Sequence, residues 1–326
     1  MSFSIDSLVG KIKKNNILIV IGGPTASGKT SLAVAIANLL GGQIISADSR
    51  QVYKGMDIGS GKDLGEYTIN KKQINYHCID VVKPSVVFTL ADFLKEANLA
   101  LKKIIDNNDI PILCGGTGLY IESFLKGYQI PAVKEDVALR CELENFSKEE
   151  LTLKLKNLSP TLFDKTDLSS KKRIIRSIEI ATHSTSTATT NNFCTPQNSF
   201  TASSMVPLFI VTDFEKEELI SRIDSRVDKR LKEGMIEEVE KLIEGGISLG
   251  RLTQLGMEYG VIGKYLFKEL TYEDMVTTLK HNIHRLAKRQ RTWFRGTSRR
   301  GIKTHYISGN SLEAALDVIT NFTNQF

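Results

Sequence analysis

The chain has 326 residues, 41% of them hydrophobic and 25% charged, which supplies a sizeable core and excludes global disorder. No apolar run approaches the ~20 residues needed to span a bilayer, and no secretory leader or membrane association is expected. Cys78, Cys114, Cys141 and Cys194 lie far apart without a CxxC pair, which disfavours both a disulfide scaffold and a cysteine zinc site and fits a reducing cytoplasm.

Residues 17–21 (ILIVI) form a continuous, mostly β-branched run of the kind buried on both faces of a parallel sheet. They lead into Gly22-Gly-Pro-Thr-Ala-Ser-Gly-Lys-Thr30, after which residues 31–40 have helical spacing and stop at Gly41-Gly42. A second strand is predicted over 43–46, ending at Ala47-Asp48-Ser49-Arg50-Gln51, and a third over 76–81. A helix capped near Thr89 is predicted over 89–106, then a strand over 110–114 that runs into Gly115-Gly-Thr-Gly118. Strands alternating with helices predict an α/β fold, a P-loop NTPase-like parallel sheet flanked by helices.

Residues 134–180 have helical spacing, many charges and no strand, and residues 182–204 are rich in Ser, Thr and Asn, the pattern of an exposed loop. A strand pattern returns at 208–212. Residues 131–204 are therefore expected to be a helical insertion domain within a core formed by residues 1–130 and 205–326. Long helices are predicted over 215–244 and 272–295, and a last strand over 304–307.

The charge is uneven. Between residues 275 and 303 stand nine Lys or Arg and no acidic group, whereas the other residues hold 34 basic against 37 acidic side chains. The formal net charge of +6 thus resides in one C-terminal stretch, which suits a polyanionic partner; a solvated helix face is the alternative. Within it Leu279, Ile283, Leu286 and Trp293 have the spacing to dock a helix, while Lys280, His284, Lys288, Arg291 and Arg295 fall on another face.

Gly23-Pro-Thr-Ala-Ser-Gly28-Lys29-Thr30 matches G-x-x-x-x-G-K-[ST] between a buried strand and a helix. Glycines let successive N–H groups converge on a phosphate, the helix N-terminus adds positive potential, and Lys29 neutralises the outer phosphate. The Thr30 hydroxyl is placed to ligate Mg²⁺ bridging two phosphate oxygens. The motif specifies a diphosphate group and not the molecule that carries it. Ligands of open parallel sheets sit at the carboxyl ends of the strands, so Asp48 and Thr117 are expected in the crevice above Lys29. A carboxylate there can accept a proton from a nucleophile. The strand over 110–114 ends in Cys-Gly-Gly and lacks the terminal Asp of a conventional NTPase.

Together these blocks resemble the tRNA dimethylallyltransferase (tRNA isopentenyltransferase) family, in its bacterial form without a C-terminal zinc finger. The resemblance rests on the phosphate loop with Ser46-Ala-Asp-Ser-Arg-Gln-Val-Tyr53, Met56-Asp-Ile-Gly59, His77-Cys-Ile-Asp80, Gly115-Gly-Thr-Gly-Leu-Tyr-Ile121, Arg222-Ile-Asp-Ser-Arg-Val227 and Lys288-Arg-Gln-Arg-Thr-Trp-Phe-Arg295. It implies transfer of a dimethylallyl group from dimethylallyl diphosphate to N6 of the adenosine 3′ of the anticodon in tRNA, releasing diphosphate. On this chain it implies that Gly23, Pro24, Thr25, Ala26, Ser27, Gly28, Lys29 and Thr30 hold the diphosphate, with Mg²⁺ on Thr30. Asp48 is implied as general base, and Thr117 and Arg222 as further diphosphate contacts. Asp48, Ser49, Arg50, Gln51, Arg140, Lys172, Arg173 and Arg176 are implied contacts of the tRNA anticodon loop, joined by Lys280, Lys288 and Arg291 of the basic helix. A monomer is expected. Two stretches depart from the family pattern: Asp167-Leu-Ser-Ser-Lys-Lys-Arg173 replaces a Pro-Asn-Asp-type turn, and Gly256-Met-Glu-Tyr259 replaces Gly-Tyr-Lys/Arg-Glu.

Overall fold

The computed structural model describes residues 4–131, 133–185 and 202–326. In chain order, α1 (Ile5–Lys14), β1 (Ile17–Gly22), α2 (Lys29–Leu40) and β2 (Gly42–Ser46) are followed by a small hairpin, β3 (Thr68–Ile69) and β4 (Lys72–Gln73). Next come β5 (Tyr76–His77), α3 (Leu90–Asp106), β6 (Ile110–Gly115) and α4 (Gly118–Leu125). Four helices follow, α5 (Val137–Leu143), α6 (Lys148–Leu158), α7 (Pro160–Lys165) and α8 (Lys171–Thr185). The chain then forms β7 (Val206–Asp213), α9 (Lys216–Lys232), α10 (Met235–Glu244), α11 (Leu249–Leu255) and α12 (Met257–Leu266). It ends with α13 (Tyr272–Arg295), β8 (Thr304–Ser308) and α14 (Leu312–Thr323).

The main sheet has the order β5-β2-β6-β1-β7-β8 with every pair parallel. All residues of β1 and β6 are buried, as continuous apolar strands covered on both faces must be. Ile17, Ile19 and Ile21 pack on one face with Ile12 of α1, Leu32 and Ile36 of α2 and Ile319 of α14. Each such side chain contributes about 1.5–3 kcal/mol on burial. A second apolar cluster joins Leu219 and Ile223 of α9, Val239 of α10, Leu252 of α11, Tyr259 of α12 and Leu279 of α13 to Val52, Tyr53 and Met56 after β2. The carboxyl edge of the sheet therefore faces a helical layer.

Three expectations are corrected. The strand over 76–81 stops at His77, because Cys78 and Asp80 adopt left-handed backbone conformations (φ 62° and 55°) that no strand tolerates. The helix over 215–244 is two helices, broken at Gly234 with φ 98°. On α13 the buried seam is Leu279, Ile283, Ala287 and Phe294, while Leu286 faces a cavity and Trp293 packs on Gly118. Most of the expected loop over 182–204 lies outside the described residues; its first four residues belong to α8 and Ala202–Ser204 is a 3-10 turn.

The chain divides into two compact units, Met1–Tyr128 with Ser199–Phe326, and Gln129–Asn198, against expected junctions at 131 and 204. The second unit buries Leu143, Leu151, Leu155, Ile174, Ile175 and Ile178. It also buries one carboxylate. Glu179, fully buried, accepts from the Asp136 N–H at 2.6 Å and from Arg140 Nε and Nη2 at 3.0 and 2.9 Å, and is also bonded by Arg176. Burial pushes the Glu179 carboxyl up, but its partners win and hold it at about 2. A carboxyl depressed in the folded state adds stability that is complete above its unfolded pKa of about 4.3 and fades as pH falls towards 2. Glu179→Ala is expected to cost about 2–3 kcal/mol, below the roughly 3–5 kcal/mol usual for breaking a buried pair, because both arginines are a third exposed. Chemical denaturation at pH 7 and pH 3 checks this: the variant's deficit should shrink at the lower pH.

Candidate active site

Register sets the site. Cys114 of β6 pairs with Ile21 of β1 and with Ser46 of β2, so the loops after all three strands leave the sheet at one level. A Cβ on Gly115 would lie 2.2 Å from the Ala47 carbonyl oxygen, so only glycine lets the loop after β6 lie against the loop after β2. The Thr117 N–H donates to that same oxygen at 3.2 Å, and Ser49 N–H donates to Thr117 Oγ1 at 3.1 Å. Arg50 N–H donates to Asp48 Oδ1 at 2.9 Å, fixing the carboxylate at the strand end. Asp48 and Thr117 both line a cavity of about 360 Å³ with Lys29, as expected from the strand ends.

The phosphate loop lines the same cavity. Gly28 has φ 69° and abuts Asn310, a position closed to other residues. Ala26 also sits in the left-handed region (φ 61°), at a cost on the order of 1 kcal/mol. Arg222 Nε donates to the Ala26 carbonyl at 3.0 Å while its guanidinium lies 4.2 Å over the Phe214 ring, which offsets that strain. Arg222 does not line the cavity. Ser27 Oγ is bonded to Thr212 at 2.7 Å and Thr25 N–H donates to Gln290 at 2.8 Å, so these groups serve the loop's own shape. Lys29 and Thr30, in the first turn of α2, have N–H groups without a helical acceptor and line the cavity. Lys29 Nζ donates to the Pro24 carbonyl at 3.3 Å, which leaves two donors for an anion. Burial lowers the Lys29 pKa, and Arg226 adds to that.

Several cavity residues were not anticipated. Gln290 of α13 joins the two glycine loops, its side-chain oxygen on Thr25 N–H and its Nε2 donating to the Gly116 carbonyl at 3.0 Å. Arg226 and Arg230 line the cavity and pair with Asp63 at 3.4 and 3.1 Å. Burial, and Arg230 beside it, push Arg226 down to about 10. The i, i+4, i+8 spacing of Arg222, Arg226 and Arg230 was readable as one helical face. Glu258, Met257, Leu286 and Arg289 complete the wall. The loop carrying Gly59–Asp63 is held from behind: Glu238 accepts from the N–H groups of Asp57, Ile58 and Gly59 at 2.7, 2.7 and 3.0 Å and from Tyr259 at 2.8 Å. Lys62, fully buried, donates to Tyr53 O at 2.7 Å and pairs with Asp57 and Asp80.

The basic side chains singled out for a polyanion fare unequally. Lys280 pairs with Asp228 at 2.8 Å, His284 with Asp224 at 2.8 Å, and Arg291 with Asp213 at 3.0 Å. Arg140 and Arg176 are engaged by Glu179 and Arg173 by Asp167, all within the second unit. Gln51 is buried, accepting from Ser46 Oγ at 2.7 Å and donating to Gly61 O at 2.9 Å, so its side chain shapes the cavity from inside. Arg50 Nη1 donates to the Gln254 carbonyl at 2.8 Å. Lys172 and Lys288 are exposed.

The chain matches the family model described as IPP transferase over residues 51–297. It is 43% identical over 293 residues to tRNA dimethylallyltransferase 2 of Bacteroides fragilis, covering 90% of this chain and 93% of that protein. It is 46% identical over 290 residues to tRNA dimethylallyltransferase 1 of Azobacteroides pseudotrichonymphae, covering 89% and 92%. Among solved structures, the full-length tRNA isopentenylpyrophosphate transferase of Bacillus halodurans matches with a TM-score of 0.63 and 31% identity, over 95% of each chain.

The geometry predicts tight holding of a diphosphate by the loop. Lys29→Met should weaken binding of inorganic diphosphate by about 10- to 100-fold, the value of a charge-assisted contact. Gln290→Leu, which removes the bonds from Gln290 to both glycine loops, should weaken it by about 5- to 10-fold. Titration calorimetry distinguishes the two.

Proposed function

The chain belongs to the IPP transferase family of tRNA dimethylallyltransferases and is a tRNA-prenylating enzyme; from that premise we propose that the cavity between its glycine loops is the active site. The donor is dimethylallyl diphosphate and the acceptor is N6 of the adenosine 3′ of the anticodon. The observation that carries this reading is that Asp48 and Thr117 line one cavity with Lys29 and Thr30. An allylic diphosphate departs with a concentrated negative charge, which the N–H groups at the start of α2, Lys29 and the Arg226 guanidinium can meet as it develops. N6 attacks the allylic carbon as the carbon–oxygen bond breaks, and Asp48 takes the proton that the amine loses. The acceptor base must leave the anticodon stack to reach the cavity, at a cost of about a few kcal/mol.

Mg²⁺ belongs in the same reading. Among the described residues no cluster of three or more His, Cys, Asp or Glu forms an all-protein cage. A single hard oxygen donor, the Thr30 hydroxyl at the cavity wall, suits an ion whose other ligands are diphosphate oxygens and water. The ion would neutralise charge on the diphosphate. No helix among the described residues is long and apolar enough to cross a membrane. We place the enzyme in the cytoplasm, acting as a monomer on the anticodon loop. On the basic helix, Lys288 is the exposed cation of the three expected to meet RNA, since Lys280 and Arg291 have carboxylate partners.

Asp48→Asn is expected to lower prenyl transfer from labelled dimethylallyl diphosphate to tRNA by about 10²- to 10⁴-fold while changing tRNA affinity less than about threefold. Equal losses in turnover and affinity would remove Asp48 from the base role. Label entering from γ-labelled ATP in place of the prenyl donor would overturn the assignment of the site. Lys288→Ala should flatten the salt dependence of tRNA binding by about one counterion, and Lys280→Ala should change it less.

A further inference from the structure

The loop that carries Gly59–Asp63 presents one carboxylate to two guanidinium groups. Arg230 Nη2 lies 3.3 and 3.1 Å from the two oxygens of Asp63, and Arg226 Nη2 lies 3.4 Å from one of them. Charged N–H···O contacts usually close to about 2.7–2.9 Å, so this pairing is loose. Nε and Nη1 of both arginines have no hydrogen-bond partner among the described residues, and neither Glu66 nor Glu258, which line the same cavity, forms a salt bridge there. The Arg230 side chain is only 11% exposed, so a nearly buried cation shares a single counter-ion with its neighbour. A Cβ on Gly61 would lie 2.2 Å from Arg226 Nη2 and 2.3 Å from Arg230 Nη2, which places both nitrogens at one spot. The loop keeps its shape by other means, since Glu238, Gln51 and Lys62 already hold it. Asp63 itself has φ 46°, a left-handed conformation that favours glycine.

We propose that Arg226 and Arg230 form a site for the second phosphate group of the donor, with Asp63 as its resident counter-ion, displaced when the diphosphate binds and restored when it leaves. This rests on the reading of the cavity as the prenyl-transfer site and adds to it the roles of Arg230 and Asp63. The arginines stand next to the phosphate loop. Arg222 of α9 donates to the Ala26 carbonyl at 3.0 Å, and Arg226 and Arg230 follow one and two turns later on the same face. A small recess is lined jointly by Thr25 and Ala26 of the loop and by Arg226 and Arg230. Burial chiefly lowers the Lys29 pKa, and the charges of Arg226 and Asp63 reach it in opposite senses. With Lys29 and the N–H groups of the loop on one phosphate group, two converging guanidinium nitrogens suit the oxygens of the next. A terminal phosphate carries more charge than a carboxylate and takes the pair from Asp63. When the carbon–oxygen bond has broken, Asp63 competes with the free diphosphate for the same nitrogens. The carboxylate thus weakens the hold on donor and product alike and eases product release. A backbone phosphate of tRNA offers the same chemistry, but the shared recess with the phosphate loop favours the donor.

The test is titration calorimetry of the full chain with inorganic diphosphate, alongside filter binding of tRNA. Arg230→Met should weaken diphosphate binding by about 10-fold and leave tRNA affinity within about twofold. Asp63→Asn, which keeps the shape and removes the competing charge, should tighten diphosphate binding by about 3- to 10-fold. In the Asp63→Asn, Arg230→Met double variant that gain should shrink below about twofold, because Asp63 then has one arginine fewer to compete for. Weaker diphosphate binding in Asp63→Asn makes the carboxylate a mere prop for the arginines and overturns the proposal. An undiminished gain in the double variant makes it a general charge effect, with the same consequence. Arg230→Met that loses tRNA affinity and keeps diphosphate affinity assigns the pair to an RNA phosphate and overturns the proposal too. These three outcomes leave the reading of the cavity intact. A wild-type chain that binds no inorganic diphosphate overturns that reading, and the arginine site with it.

Discussion

The pairing of Cys114 with both Ile21 and Ser46 is the constraint on which the site depends. Three parallel strands ending at one level deliver the phosphate loop, the Asp48 loop and the Thr117 loop to a single cavity. Any slip in register would move Asp48 relative to Lys29 by about 3.3 Å per residue. Such a shift exceeds the tolerance of a proton transfer coupled to bond formation. The buried, β-branched strands that hold this register are therefore part of the chemistry as well as of the core.

A second layer of contacts shapes what the strands deliver. Gln290 ties the two glycine loops to α13, Arg222 holds the strained Ala26 peptide, and Glu238 gathers three N–H groups of the loop that carries Gly59–Asp63. Each of these side chains comes from a helix distant in sequence from the loop it serves. The helical layer is thus a support for the catalytic edge, and α13 in particular divides its faces. Leu286, Arg289 and Gln290 line the cavity, while Lys280, His284 and Arg291 pair with carboxylates on α9 and at the end of β7.

That division shows what a reading of charge along the chain leaves out. A run without acidic residues between 275 and 303 reads as a free cationic surface, yet Asp213, Asp224 and Asp228 reach across to it from other elements. In the second unit, Glu179 of α8 does the same for Arg140 of α5 and also pairs with Arg176 one turn away on its own helix. Local composition reports the charge a segment carries and not the charge that folding brings to meet it. The shortened strand at His77 has a different cause, since two left-handed residues end it and no apolar pattern announces them.

The sequence by itself determined the parallel α/β architecture, the phosphate loop with Lys29 and Thr30, and the presence of Asp48 and Thr117 at strand ends. These are legible because periodicity and turn chemistry act over a few residues. Only the tertiary structure decided that Arg226 and Arg230 line the cavity while Arg222 braces Ala26, that Gln290 joins two loops, and that Glu258 lines the same cavity as Asp48. Those roles depend on which side chains meet across long separations, and such meetings follow from packing and register, which leave no repeating signature along the chain.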